Sequence, residues 1–249
     1  KARPFNKDFT MHPLTFGVVA SILYLGGSFF QLQALRQKLH HYRPRILAVG
    51  AVALIFHGLC IYGTGIPWSR PHFSFYFVPS LIFFAVLLIV LVSSLRKPLE
   101  NLLIGLYPLA SVAIFFSLAF PDATSQAMNT RIYLHAILSL MAYAFITIAV
   151  CQALLLAHQE RQLRQHHAGG WMRNLPPLQT MESLLFEFIW AGFIFLTLAM
   201  TTGLVFLEDM FAQHLVHKTV LSIASWFTFL VLLWGRHQIG WRGQQAIRW

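Results

Sequence analysis

Long apolar stretches alternate with short polar gaps along the whole chain. The apolar blocks number seven and cover residues 12–33, 46–66, 76–95, 101–120, 131–157, 184–208 and 216–235. Each block reaches the roughly 20 residues that an α-helix needs to cross a hydrocarbon core about 30 Å thick. Backbone N–H and C=O groups find no water in that core, so the blocks are expected to be helical. The pattern predicts an all-α, polytopic transmembrane helical bundle with seven helices.

Composition supports a membrane protein. Of the 249 residues, 57% are hydrophobic and only 10% are charged, whereas soluble domains carry about 25% charged residues. The mean hydropathy of +0.62 agrees with that deficit. The lipid bilayer is therefore the first expected partner.

Charge alternates between successive gaps. A net charge of +10 would suggest a nucleic-acid partner in a soluble protein, but the positive-inside rule explains it here. Basic residues concentrate in the gaps after blocks one, three and five and in the tail, at Arg36, Lys38, Arg43, Arg45, Arg96, Lys97, Arg161, Arg164, Arg173, Arg236, Arg242 and Arg248. These gaps are predicted to face the cytoplasm. The N-terminus is then outside, Trp249 is inside, and no nucleic-acid partner is expected.

The first residues do not follow this charge rule. Lys1, Arg3 and Lys7 would lie outside, with only Asp8 to offset them. Because Met11 resembles a natural start, residues 1–10 are interpreted as a non-native or disordered leader. Residues 11–249 are predicted to form a single transmembrane domain.

The chain is rich in histidine, and the predicted topology divides its 12 histidines evenly. Half belong to the basic, cytoplasmic side, and the other half are His12, His57, His72, His135, His214 and His217. Two of the latter, His57 and His135, are embedded among apolar neighbours rather than at the first residues of a block, with His57 roughly 18 Å from the cytoplasmic end of its helix. An ionisable side chain inside a membrane helix indicates a functional site. A structural histidine held by hydrogen bonds is the alternative interpretation.

Neutral imidazole is a common metal ligand and a standard axial ligand of haem iron. Zinc needs three or four ligands at close spacing, so two histidines on different helices favour haem (heme). His135 and His57 are the candidate iron ligands. Arg131, one turn from His135, is either the partner of a haem propionate or an interfacial charge. The pair His214 and His217 remains an alternative metal site.

Other function classes find less support. The chain shows no nucleotide-binding glycine loop, serine triad or paired carboxylates, so a non-enzyme is expected. No Asp or Glu lies near the middle of a block, where ion-driven transporters usually need one. A transporter or channel is therefore the weakest hypothesis.

Three segments resemble the cytochrome c assembly family, the CcsA-, HemX- and YpjD-like integral membrane proteins. They are residues 131–145 (RIYLHAILSLMAYAF), 218–226 (KTVLSIASW) and 240–246 (GWRGQQA). The first resembles the family's histidine-bearing helix, and the last resembles its cytoplasmic GWRG turn. His57 also falls where the YpjD-like branch has a histidine. The resemblance extends from Met11 to Trp249.

This resemblance implies an inner-membrane protein that binds or relays haem and assists assembly of cytochrome c or another haem protein. His135 matches the first external haem ligand of the cytochrome c branch. His57 is then the candidate second ligand and His217 the alternate. Apocytochrome and other membrane proteins are the implied partners.

The chain also departs from the cytochrome c branch. The gap before block seven lacks the WGxxWxWD motif, and Trp234 replaces a histidine of that helix. The family also has an eighth helix after GWRG. These departures place the chain nearest the YpjD-like branch. They leave open a second function, a cofactor-free accessory or scaffold subunit of a larger membrane complex.

Overall fold

The computed structural model describes residues 13–37, 42–64, 75–120, 130–165, 175–206 and 216–241. The side chains of residue 130 and of residues 216–218 lie outside this description. Seven α-helices are present in the described ranges: α1 (Pro13–Arg36), α2 (Arg43–Gly63), α3 (Phe77–Ser94), α4 (Leu103–Ala119), α5 (Thr130–Arg164), α6 (Leu178–Phe206) and α7 (Val216–Trp234). A 3-10 turn, Glu100–Leu102, leads into α4, and a π-helical turn, Gly235–Ile239, follows α7.

All seven helices of the described chain are long and apolar enough to cross a membrane, which confirms the predicted fold class. Some helices extend beyond the apolar blocks that predicted them, because the helix continues where the hydropathy falls. Helix α5 continues to Arg164, well past the apolar part of its block. Helix α6 begins at Leu178, directly after Pro176 and Pro177. Proline removes a backbone donor, so the pair is well placed just before the first turn.

Large apolar side chains cover the outer surfaces of the helices. Phe29, Ile55, Phe115 and Leu221 are all exposed. In water such a surface would drive association, whereas in a bilayer it contacts acyl chains as apolar as itself. Lipid gives helices no hydrophobic reason to associate, so packing between them depends on close approach and polar contacts.

The chain divides into two compact units. The first unit contains α1 as far as Ala34, together with α2, α3 and α4. The second unit contains α5, α6, α7 and the π-helical turn. The single domain expected for residues 11–249 stays a prediction.

Small residues allow close packing inside each unit. A Cβ at Gly50 of α2 would overlap the hydroxyl of Tyr107 and lie 2.8 Å from Leu91. A Cβ at Gly192 of α6 would lie 3.0 Å from Ile146 of α5. Gly26 differs, because a Cβ there would meet no described atom within 4 Å. Gly50 and Gly192 therefore lie at close helix contacts, whereas Gly26 has no described neighbour that close.

The chain folds back on itself after α7. Gly240 adopts a positive φ of 72°, which glycine tolerates without a steric penalty. The turn lets the Trp241 N–H donate to the Gly235 carbonyl oxygen at 3.2 Å. Arg236 pairs with Glu182 of α6, donates to the Trp241 carbonyl oxygen at 2.8 Å and lies 4.6 Å above the Phe186 ring. These contacts of Arg236 connect the turn after α7 to the start of α6.

Candidate functional site

The structure describes three of the four predicted site residues in full. His57 lies in α2, and Arg131 and His135 lie in α5. His217 lies in the first turn of α7, but its side chain is outside the described residues. The predicted outer histidines His12, His72 and His214 also lie outside them.

His135 is held by α6. Its Nδ1 atom lies 2.9 Å from the backbone carbonyl oxygen of Ala199 and 3.3 Å from the Thr202 hydroxyl oxygen. A carbonyl oxygen can only accept, so Nδ1 must be the protonated nitrogen. The Thr202 hydroxyl donates to the carbonyl oxygens of Ala199 and Leu198 at 2.9 Å, which leaves its lone pair for the imidazole.

This tautomer leaves the lone pair of His135 on Nε2. The only described polar atom near it is the Ser139 hydroxyl oxygen at 3.5 Å, the outer limit of a hydrogen bond. Metal-ligating histidines commonly donate the other ring N–H to a carbonyl oxygen, which fixes the tautomer and the ring orientation. The side chain is also only partly buried. Of the two ring nitrogens of His135, Nε2 is therefore the one with a lone pair that could bind a ligand.

Arg131 lies one turn nearer the start of α5 than His135. Its guanidinium lies 6.0 Å from the centre of the Phe206 ring at the end of α6, and the side chain is exposed. Positions four apart share one helix face. The positive charge and the imidazole of His135 are therefore neighbours along α5.

His57 has very different surroundings. It is fully buried, with its Nδ1 3.3 Å from the Tyr24 hydroxyl oxygen and its Nε2 3.0 Å from the Ser80 hydroxyl oxygen. The rings of Tyr24 and Phe84 meet the imidazole edge to face, at centroid distances of 5.9 and 5.5 Å. Both ring nitrogens are engaged, which satisfies the hydrogen-bonding capacity of a buried neutral histidine.

The structure does not bring the predicted ligands together in one unit. His57 belongs to the first unit and His135 to the second, which also contains His217. In the described part of the chain, no three His, Cys, Asp or Glu residues are grouped closely enough to hold a metal ion.

A cavity of about 480 Å³ opens between α5, α6 and α7. Its walls are apolar apart from Ser225 and Thr228, and no histidine lines it. Ile146, one of its lining residues, follows His135 by eleven positions, or roughly 16 Å along the helix. This cavity is therefore separate from the surroundings of His135.

Sequence reasoning missed several residues that shape these surroundings. They are Tyr24, Ser80, Tyr107 and Thr202, each a hydroxyl inside an apolar helix. A polar side chain at such a depth needs a hydrogen-bond partner. This requirement is the sequence signal that could have identified these residues. It does not reveal which partner is chosen.

A family model for cytochrome C assembly proteins matches residues 46–249 of the chain. The chain belongs to the cytochrome c assembly family. The matched region includes His57, Arg131, His135 and His217 and leaves out α1 with Tyr24. The family identification thus covers every predicted site residue.

The chain is also similar to two individual proteins. The inner membrane protein YpjD of Escherichia coli K12 is 28% identical over 93% of this chain and 89% of its own length. A 28.8 kDa protein in the nifR3-like 5′ region of Azospirillum brasilense is 31% identical over 66% of this chain and 63% of its own. The similarity to YpjD confirms the predicted YpjD-like relationship. No solved structure matches this cytochrome c assembly family member significantly.

Proposed function

We propose that this protein binds haem in the membrane and assists assembly of cytochrome c or another haem protein. One observation carries the proposal, namely the hydrogen bond from His135 Nδ1 to the Ala199 carbonyl oxygen. It fixes the imidazole in the tautomer whose Nε2 lone pair is available to iron. The family membership supports the same class of function.

A site with a single imidazole ligand favours haem over zinc. Zinc needs three or four protein ligands, whereas the porphyrin supplies four nitrogens and leaves iron with only one or two axial positions to fill. When bound, haem supplies an iron centre suited to ligand exchange and one-electron chemistry. The chain supplies an oriented imidazole at His135 and a positive charge at Arg131.

Arg131 is proposed to bind a haem propionate. A guanidinium recognises a carboxylate through paired N–H donors. Its position one turn from His135, beside the Phe206 ring, places charge and aromatic surface close to the proposed iron ligand. Such a contact would orient the porphyrin without taking part in ligation.

The second axial ligand is proposed to be His57 or His217. His57 would have to exchange its hydrogen bond with Tyr24 or Ser80 for a bond to iron. His217 shares the second unit with His135, which favours it. Ligation by His135 alone, with a transferable haem, is the third form of the same proposal.

We also propose that the protein lies in a bacterial inner membrane, with its N-terminus outside and residue 249 inside. The charge alternation between gaps supports this orientation, and the relative named as an E. coli inner membrane protein supports the location. Apocytochrome or another membrane protein would then meet the haem at the outer side.

A cofactor-free accessory subunit is the second candidate. The complete hydrogen bonding of His57 favours it, because that histidine already has a structural role. The open surface at Gly26 offers a place where another helix could approach closely. In that case the protein takes up no haem, and a bulky residue at Gly26 disrupts a larger complex.

Haem titration separates these functions. On addition of haem to purified protein in detergent, the Soret band should shift and sharpen relative to that of free haem, and His135→Ala should weaken this change. His158→Ala is the matched control, because His158 lies on the same helix but is exposed. Wild-type protein that is isolated without haem and takes up none would overturn the haem proposal in favour of the accessory subunit.

A further inference from the structure

The apolar cavity between α5, α6 and α7 is a groove that runs along the second unit. Its floor is formed by Leu185 and Ile189 of α6, which are both buried. Its rims are formed by Leu154 of α5 and Leu221 of α7, which are both exposed. All three helices are long and apolar enough to cross a membrane. A buried floor between exposed rims means that the groove opens sideways, toward lipid.

The groove is long and narrow. Its lining residues on α7 run from Leu221 to Leu232, eleven positions or roughly 16 Å along the helix. A volume of about 480 Å³ over that length gives a mean cross-section of about 30 Å². An α-helix with its side chains is about 10 Å across and needs more than twice that area. The groove therefore has room for an extended hydrocarbon chain but not for another helix.

Small side chains line both walls of the groove. They are Ala149 and Ala153 on α5 and Ala224 and Ser225 on α7. The Thr228 hydroxyl, which also lines the groove, donates to the Ala224 carbonyl oxygen of its own helix at 2.9 Å. That hydroxyl therefore needs no polar partner inside the groove.

Both walls of the groove finish beside the start of α6. The Gln159 side chain of α5 donates to the Pro176 carbonyl oxygen at 3.2 Å, just before α6 begins. On the other wall, Arg236 after α7 pairs with Glu182 in the second turn of α6. The polar ends of α5 and α7 thus lie at the same end of the groove, which is called here the Arg161 end.

Arg161 lies in line with the α5 rim. Val150, Leu154 and Arg161 follow one another at intervals of four and seven, which places them on one face of α5. Arg161 is about 10 Å beyond Leu154 along the helix, past the apolar part of α5. A hydrocarbon chain that follows this rim would therefore bring a polar group at its end close to the Arg161 guanidinium.

Two ion pairs at this end leave the charge of Arg161 without compensation. Arg164 pairs with Glu160 at 3.2 Å, and Arg236 pairs with Glu182. The Arg161 side chain is exposed and forms no ion pair with any residue that the structure describes. The Arg161 end therefore offers a positive charge to a ligand.

Glu187 of α6 does not offset this charge. It is two positions from Leu185 and two from Ile189, which places it almost directly across the helix axis from the groove floor. The groove thus combines apolar walls with a cation at one end. This combination matches a lipid whose headgroup is anionic.

We propose that this groove binds one phospholipid with an anionic headgroup. One acyl chain fills the space above Leu185 and Ile189, and the phosphate lies at Arg161. Basic side chains near a membrane surface attract anionic lipids in this way. The site uses neither His135 nor Arg131, so it is independent of haem binding.

Chain and headgroup contribute differently to this binding. An acyl chain in a bilayer is already surrounded by hydrocarbon, so entry into an apolar groove gains little from burial alone. Close packing in the narrow groove holds the chain, whereas the charge of Arg161 selects the headgroup. Retention of lipid should therefore depend on both the shape of the groove and the charge of the lipid.

Native mass spectrometry of the full chain tests the proposal. Protein delipidated in a mild detergent is incubated with palmitoyl-oleoyl phosphatidylglycerol or with the phosphatidylcholine that has the same chains. The fraction of protein that retains one lipid is then measured. We expect about fivefold more retention of phosphatidylglycerol, the effect of about one basic residue near a membrane surface. Equal retention of the two lipids would overturn the proposal.

Arg161→Gln tests the headgroup contact. This variant should retain the two lipids equally. Arg96→Gln is the matched control, because it removes the same charge from an exposed position of the first unit, and it should keep the wild-type preference. Equal losses of preference in the two variants would show unspecific attraction to a basic surface and would contradict the role of Arg161.

Ala224→Phe tests the groove itself. Ala224 is exposed and lines the groove, so the variant should fold and fill the space for the chain. Retention of both lipids should then fall, whereas Ala51→Phe at an exposed position of α2 should have no effect. Wild-type retention in Ala224→Phe would overturn the proposal. So would a lipid-free dimer of the wild-type chain that Ala224→Phe dissociates, because it would assign the groove to a second copy.

Discussion

The Nδ1 atom of His135 on α5 lies 2.9 Å from the carbonyl oxygen of Ala199 on α6. This hydrogen bond joins two helices of the second unit and decides which nitrogen of the imidazole keeps its lone pair. Nearby, the Trp226 indole N–H of α7 donates to the Thr197 hydroxyl oxygen of α6 at 3.0 Å. Helix α6 therefore orients polar side chains of both its neighbours.

Thr202 should help to orient His135 for ligation. Thr202→Val keeps the side-chain shape and removes the hydroxyl oxygen 3.3 Å from Nδ1. Outer-shell partners of ligating histidines typically contribute about 10-fold or more to affinity, so haem affinity should fall by about that factor. Thr201→Val is the control, since the exposed Thr201 hydroxyl bonds only its own helix, at the Thr197 carbonyl oxygen. Equal affinities for the two variants in a haem titration would contradict this role.

Arg131 should act only on haem that carries free propionates. Arg131→Gln is expected to weaken binding of protoporphyrin-based haem, whereas Arg131→Lys should retain part of the affinity because the charge remains. Haem dimethyl ester lacks the propionate charges, so its affinity should not change in either variant. A loss of affinity for the ester as large as the loss for haem would show that Arg131 serves the fold instead.

Gly50 should be required for packing of the first unit. Gly50→Ala places a methyl group against the Tyr107 hydroxyl and 2.8 Å from Leu91, and overpacking of this kind costs about 1–3 kcal/mol. Gly26→Ala is the matched control, because a Cβ there meets no described atom within 4 Å. Differential scanning fluorimetry in detergent should show a lower Tm for Gly50→Ala only. A similar Tm for both variants would mean that α2 can shift away from Tyr107.

Arg236 should stabilise the second unit. Its guanidinium pairs with Glu182, donates to the Trp241 carbonyl oxygen and covers the Phe186 ring. Loss of a hydrogen bond to a charged group costs about 1.5–3 kcal/mol, so Arg236→Ala should lower the Tm clearly. Arg164→Ala breaks the exposed pair with Glu160 on α5 and serves as the control, since such surface pairs contribute little. Equal decreases in Tm for the two variants would contradict a stabilising role of the Arg236 contacts.

The sequence predicted the fold well because a lipid environment permits few backbone structures. Every backbone group must bond within its own segment, so block length alone identified each helix. Hydropathy alone predicted the ends less well, because α5 continues to Arg164 through a polar stretch. There, helix propensity and solvent decide where the helix ends, and hydropathy carries no signal.

The candidate site was predicted only in part. His57 and His135 stand out in sequence because each is an imidazole among apolar neighbours, but nothing local distinguishes them. Their surroundings differ through residues far along the chain, namely Ala199 for His135 and Tyr24 for His57. Those contacts depend on which helix faces come together. The helix-spanning hydrogen bonds could therefore not be predicted from either segment alone.

Chemical rescue of His135→Gly tests the central claim most directly. The substitution removes the imidazole and leaves space where added imidazole can bind iron in its place. We predict that the variant loses most of the protein-bound Soret signal of the haem-loaded wild type, and that millimolar imidazole restores it. His57→Gly should not lose the whole signal, because His135 remains as a ligand. Wild-type haem binding and an unchanged spectrum in His135→Gly without imidazole would contradict the assignment of His135 as the iron ligand.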